Sequence, residues 1–150
     1  MSLKQQLQED LTAAMRAKDD VRRSTLRMAL TSITNEEVAG KQARELSDDE
    51  VVKVLARELK RRNEAATAFS DAGHEDRAAA ERAEAAVLTE YLPAQLSAEE
   101  IRDIVAAAIA ETGASGPQAM GAVMKVLQPK IAGRADGGRV AGEVKQQLTS

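Results

Sequence analysis

Glu90-Tyr91-Leu92-Pro93-Ala94-Gln95-Leu96-Ser97-Ala98-Glu99-Glu100-Ile101 stops one helix and starts another. Pro93 disfavours helical backbone at Leu92, so a helix that reaches Leu92 ends there. Ser97 and Glu100 then form a capping box. The serine hydroxyl accepts from the third amide of the new helix, and the glutamate reaches back to the serine amide. Behind the box, Ile101, Ile104, Val105, Ala108 and Ile109 recur at helical spacing, which predicts a helix ending before Gly113. A stop, a short spacer and a capped start make this stretch the domain boundary. The expected domains are 1–92 and 93–150.

Working back toward the N-terminus, Ser47-Asp48-Asp49-Glu50 is a second capping box. It opens a helix carrying Val51, Val52, Leu55, Leu59, Ala66 and Phe69, which stops near Asp71-Ala72-Gly73. Before it, Leu3, Leu7, Leu11, Ala14 and Met15 predict a helix from Ser2 to about Lys18. A second, capped by Asp19 or Asp20, runs to about Val38 with Leu26, Ala29, Leu30 and Ile33 inward. Gly40 is the expected left-handed terminator, and 40–46 the expected polar loop. A fourth helix runs from His74 to Leu92, with Ala78, Ala85, Leu88 and Leu92 on its apolar face.

Working forward, a helix starts near Gly116-Pro117, with Met120, Val123, Met124 and Leu127 inward; Pro129 should kink or end it. Gly133-Arg134-Ala135-Asp136-Gly137-Gly138 reads as a turn with Asp136 as cap. The last helix carries Val140, Val144 and Leu148. The predicted architecture is all-α: an N-terminal four-helix domain, bundle-like because its loops are short, followed by a small three-helix domain.

Composition agrees. Of 150 residues, 43% are hydrophobic and 30% charged, and alanine fills 29 positions. Phe69 and Tyr91 are the sole aromatics, so strand formers are scarce while helix formers abound. The absence of cysteine excludes disulfides, thiolate catalysis and cysteine-ligated metals. A lone His74 excludes a multi-histidine metal site, and it reads as a capping or solvent-facing residue. No cofactor or metal is expected. No uncharged apolar run is long enough to span a membrane, and the first residues lack a signal peptide's apolar segment. The expectation is a cytoplasmic protein with no membrane partner.

The net charge of −3 argues against a uniformly basic nucleic-acid binder. The charge is unevenly spread, however. Residues 97–112 sum to −3, whereas 113–150, with Lys125, Lys130, Arg134, Arg139 and Lys145, sum to +3. Lys53, Arg57, Lys60 and Arg61 fall on one face of the third helix. They could contact phosphates, or form a solvated face balanced by Glu50, Glu58 and Glu64. Arg27, among Leu26–Leu30, reads as a partly buried arginine paired with Glu36, Glu37 or an acid of the third helix. Tyr91 reads as a packing aromatic at the boundary rather than a base-stacking platform. The glycines of 133–138 lack the Gly-x-x-x-x-Gly-Lys-Ser/Thr pattern of a phosphate loop. No serine is marked as a nucleophile with its base.

Ser24-Thr25-Leu26-Arg27-Met28, Lys60-Arg61-Arg62, Glu90 to Ser97, Met120-Gly121-Ala122-Val123-Met124 and Gly133-Arg134-Ala135-Asp136-Gly137 together resemble the YqeY proteins of the GatB/YqeY domain family. The resemblance is in order and spans nearly the whole chain. It implies a YqeY-type helical domain in 1–92. It also implies a C-terminal domain in 93–150 like the tail of the B subunit of glutamine-dependent aspartyl/glutamyl-tRNA amidotransferase, which helps to hold the tRNA body. Two positions depart from the family pattern: Ala119, where an acid is frequent, and Ala122, where lysine is frequent. Lys125 lies one helical turn from Gly121 and could compensate.

The expected function is therefore a tRNA- or structured-RNA-binding accessory protein with no catalytic site of its own. Lys125, Lys130, Arg134 and Arg139 would be its phosphate contacts, with Lys53, Arg57, Lys60 and Arg61 as a second candidate face. The alternatives are a protein-interaction adaptor for a synthetase or amidotransferase component, and a component of carbon–nitrogen ligase activity with glutamine as amido-N-donor. The last is implied by the resemblance alone, since the sequence shows neither an ATP site nor an amidase nucleophile.

Overall fold

The computed structural model describes residues 1–150. The helices are α1 Leu3–Ala17, α2 Asp20–Glu37, α3 Asp48–Asp71, α4 Glu75–Thr89, α5 Ala98–Thr112, α6 Met120–Ile131 and α7 Gly137–Leu148. A 3₁₀ turn at Pro117–Ala119 leads into α6, and there are no strands. No helix is long and apolar enough to cross a membrane. The chain divides into two compact units, Met1–Leu92 and Pro93–Ser150.

Local chemistry sets most helix ends. Capping boxes open α3 at Ser47/Glu50 and α5 at Ser97/Glu100. A third, at Ser2/Gln5, opens α1, so Ser2 is a cap rather than the first helical residue. Asp19 caps α2 and Asp136 caps α7. Gly113 ends α5 in the left-handed region, at φ 64°. After α3, Gly73 (φ 82°) donates to the Ser70 carbonyl, and His74 donates to that of Phe69. These two bonds close the helix C-terminus in a Schellman motif.

Three ends differ from expectation. Gly40 is not left-handed. Instead Glu37 terminates α2 and organises the segment up to Leu46. Its carbonyl accepts from the Arg44 amide at 3.0 Å, and its carboxylate accepts from the Leu46 amide at 3.1 Å and Lys4 Nζ at 2.7 Å. The expected polar loop is thus tethered, and Leu46 is buried in the core. The fourth helix stops at Thr89, short of Leu92. The Tyr91 and Leu92 amides turn back to the Leu88 and Thr89 carbonyls in i→i−3 bonds. Pro129 lies inside α6 rather than ending it, because Ile131 is buried and the Ala132 amide still reaches the Gln128 carbonyl.

In the first unit α1 pairs with α2 and α3 with α4, while α2 also lies against both α3 and α4. Leu7, Leu26, Ile33, Val51, Leu55 and Leu88 fill the core. Beyond them, Ala66 of α3 and Ala78 of α4 are also buried. In the second unit α5, α6 and α7 enclose Ile101, Val105, Val123, Leu127, Val140 and Val144. Leu96 joins that core, its amide bonded to the Arg134 carbonyl at 2.9 Å.

Glu37 gives a pH-dependent prediction. The Lys4 ammonium, and then the Leu46 amide, hold its carboxyl below the ordinary glutamate value of 4.5. A depressed carboxylate contributes stability that is present above the unfolded value and is lost as pH falls through the folded one. Glu37→Gln should therefore lower the melting temperature at neutral pH, with a deficit that shrinks below about pH 4.5. A deficit that stayed constant from pH 7 to pH 3 would refute the ionic role.

Candidate functional site

The second unit carries Arg102 on α5, Lys125 and Lys130 on α6, Arg134 on the turn after it, and Arg139 and Lys145 on the first and last turns of α7. Lys125 and Arg139 are exposed and make no ion pair. Lys130 Nζ lies 3.3 Å from Glu111 Oε2, with both side chains roughly half exposed. Such a pair contributes little and is readily exchanged for another anion. Arg134 is committed to structure. Its Nε donates to the Ala94 carbonyl at 3.2 Å and an Nη to that of Lys130 at 3.4 Å. Gln95 adds a bond to the Gly133 carbonyl at 2.8 Å, so the turn is fastened to residues 94–96. Nearby, Glu100 is held below its ordinary range mainly by the Ser97 amide, with a smaller contribution from Arg134. Of the four expected phosphate contacts, Lys125, Lys130 and Arg139 can turn to a ligand.

No acid lies on α6. On α7 the sole acid, Glu143, accepts from the Gln147 amide group at 2.9 Å. The surface is therefore locally basic because its acids are few, in addition to its cations being exposed.

On α3, Lys53, Arg57, Lys60 and Arg61 are all exposed. Arg57 pairs with Glu36 of α2 at 3.3 Å, and Arg61 with Glu58 at 3.2 Å. This face mixes charges, whereas that of α6 is basic alone.

The expectation of a partly buried, paired Arg27 is corrected. Arg27 is exposed, makes no ion pair, and sends an Nη to Met15 Sδ at 3.6 Å. The partly buried arginine is Arg62, with a side chain 19% exposed. It faces Glu81 at 3.1 Å and Glu84 at 3.5 Å on α4, and Glu58 at 3.8 Å one turn back. Glu58 also accepts from Ser32 of α2 at 3.0 Å. Burial raises the Glu84 carboxyl, and the Arg62 guanidinium offsets part of that rise. This cluster joins three helices. The sequence signals it only through Glu58 at i−4 and the Glu81/Glu84 pair.

A shallow groove of about 410 Å³ runs along the second half of α1, lined by Ala13, Ala17, Asp10, Arg22, Glu90 and Tyr91. The Tyr91 hydroxyl donates to Asp10 at 2.6 Å, and Arg22 donates to Glu90 at 2.6 Å. Burial, reinforced by Asp10, pushes the phenol strongly up, while Glu90 raises the Arg22 guanidinium. A phenol held protonated against a carboxylate is a tether, not a base. Tyr91 also packs on the first core. His74 is exposed at the start of α4, and its side chain makes no capping bond.

Fold and surface together define an all-helical protein of two compact units whose distinctive polar chemistry lies on helix faces. The chain belongs to the Yqey-like protein family, whose sequence profile matches residues 4–148. It is also similar to a protein of Clavispora lusitaniae named altered inheritance of mitochondria protein 41, mitochondrial. The two are 30% identical over 129 residues, covering 84% of this chain and 74% of that relative.

Proposed function

We propose that this protein is an accessory protein that binds tRNA or a similarly structured RNA through the outer faces of α6 and α7. The observation that carries the reading is a locally basic surface on an acidic chain. Lys125 and Arg139 stand there without carboxylate partners, and Lys130 is held only by an exposed pair. The resemblance of residues 93–150 to the tRNA-holding tail of the amidotransferase B subunit points the same way. Phosphate contacts of this kind position an RNA by shape and charge rather than by base sequence. By this reading any part in glutamine-dependent amide transfer is that of holding tRNA, and the chain supplies no reacting group.

The test is fluorescence anisotropy of labelled bulk tRNA from low to physiological salt, with a duplex RNA of the same length as control. Three phosphates neutralised give log K a slope of about −2 to −3 against log salt. The expected result is micromolar or tighter binding that prefers tRNA. The combined Lys125→Ala, Lys130→Ala and Arg139→Ala variant should bind weakly with a flattened slope. Unchanged affinity in that variant would overturn the proposal. Binding indifferent to RNA shape, together with a nuclease-resistant protein partner in a pull-down, would replace it with the adaptor reading.

A further inference from the structure

Beyond Gly137 and Gly138, which open α7 beside its Asp136 cap, two glycines lie in helices with no packing reason to be glycine. Gly121 follows the 3₁₀ turn in a continuous helical run, where the Met120 amide reaches the Pro117 carbonyl. Gly142 lies midway along α7. Neither has a positive φ. Both are exposed, and a Cβ added at either would meet no atom within 4 Å. Glycine is the weakest helix former after proline, because it gives up the most backbone freedom. At both positions the fold would be better served by alanine.

Their surroundings point to a ligand. Gly121 is two residues from buried Val123, and Gly142 is two from both Val140 and Val144. That spacing turns each glycine away from the core. One turn from Gly121 is Lys125, and Gly142 lies three residues from both Arg139 and Lys145; all three cations are exposed and without ion pairs. Gln118 of the preceding 3₁₀ turn is exposed, and the other exposed residues of α6 are Ala122, Gln128, Pro129 and Lys130, none of them a large apolar anchor of the kind a protein partner would need. Each helix therefore offers bare backbone beside cations.

We propose that Gly121 and Gly142 are close-approach points. There the sugar–phosphate backbone of a structured RNA lies directly against α6 and α7, its phosphates held by Lys125, Arg139 and Lys145. This inference rests on the RNA-binding reading above and specifies how contact is made. Cations on long side chains can reach a phosphate from a distance, whereas a missing Cβ matters only if the backbone is touched.

The experiment compares the full chain with Gly121→Ala, Gly142→Ala, Gly121→Leu and Gly142→Leu, with Ala79→Leu on the exposed face of α4 as control. Binding is read by tRNA anisotropy and stability by thermal melts. The alanine variants should melt higher, by about 2–8 °C, since they relieve the glycine penalty. Each leucine variant should bind tRNA at least about tenfold more weakly, near 1.4 kcal/mol. The salt slope should be unchanged, because no cation is lost, whereas Lys125→Ala should reduce it by about one. Leucine variants that bind like wild type and Ala79→Leu would overturn the close-approach role while leaving RNA binding standing. Alanine variants that melt lower would show that the fold needs these glycines, which also overturns it. A wild-type chain that does not bind tRNA would defeat the RNA reading, and this inference with it.

Discussion

Arg62→Met is expected to remove up to about 3 kcal/mol of stability from the unit Met1–Leu92, the low end of the range for breaking a buried ion pair, because this cluster is only partly buried. Arg62 faces three carboxylates, from Glu58, Glu81 and Glu84, whose side chains are 8–23% exposed. Methionine fills a similar space and lies beside Met28, so the loss would come from stranded charge rather than from a cavity. Glu58 keeps Ser32 and Arg61, which holds the figure below the upper limit. The pH dependence follows from Glu84, whose carboxyl burial already raises and which would lose its offsetting cation. A carboxyl raised in the folded state favours folding while protonated, and that contribution is lost as pH rises through the folded value. The gap between variant and wild type should therefore be widest near neutrality and narrow toward about pH 5. Glu81→Gln with Glu84→Gln in the same background should recover much of the loss. Tyr91 packs on this core and is the chain's one tyrosine, with no tryptophan present, so tyrosine emission during urea unfolding reads this unit. A loss below about 1 kcal/mol, or a gap that widened on acidification, would show that the cluster is solvated rather than buried.

The sequence revealed the local features and hid the tertiary ones. The boxes at Ser47 and Ser97 and the cap at Asp136 are legible because each is closed within a few residues. Gly40 misled because a glycine after a helix is only a propensity. Here the Glu37 side chain satisfies the loop from nine residues away, at the Leu46 amide. Of the two outcomes expected at Pro129, ending the helix is the one overturned, since α6 runs on to buried Ile131. Arg27 sits among apolar neighbours in sequence, but one residue turns a helix by about 100°, which is enough to put it in solvent. Arg62 could not be singled out without knowing that α4 packs against α3. The candidate cations show the same division. Their places on helices could be read, but the partners that separate Lys125 from Lys130 and Arg134 lie on other elements: Glu111 on α5, and the Ala94 carbonyl ahead of it.

Leu127→Ala should cost the unit Pro93–Ser150 about 2–5 kcal/mol, the transfer free energy of the removed atoms plus the cavity they leave. Leu127 is fully buried among Val105, Val123 and Val140 on three helices, and those neighbours are too short to close the space. A unit of this size is held by only about 3–9 kcal/mol, so one such cavity removes much or all of its stability. The variant should lose helical circular dichroism, and amide exchange should quicken across 98–148. The same three-helix unit carries Lys125, Arg139, Gly121 and Gly142, so tRNA binding should fall with the fold. Lys125→Ala supplies the contrast, because an exposed cation can be removed with the helices intact. Its exchange pattern should match wild type while its binding weakens. If Leu127→Ala kept both its exchange protection and its affinity, the small core would not be what positions the basic face. If it lost protection yet bound tRNA as tightly as before, the RNA would be held elsewhere, and the mixed face of Lys53, Arg57, Lys60 and Arg61 on α3 would become the surface to mutate.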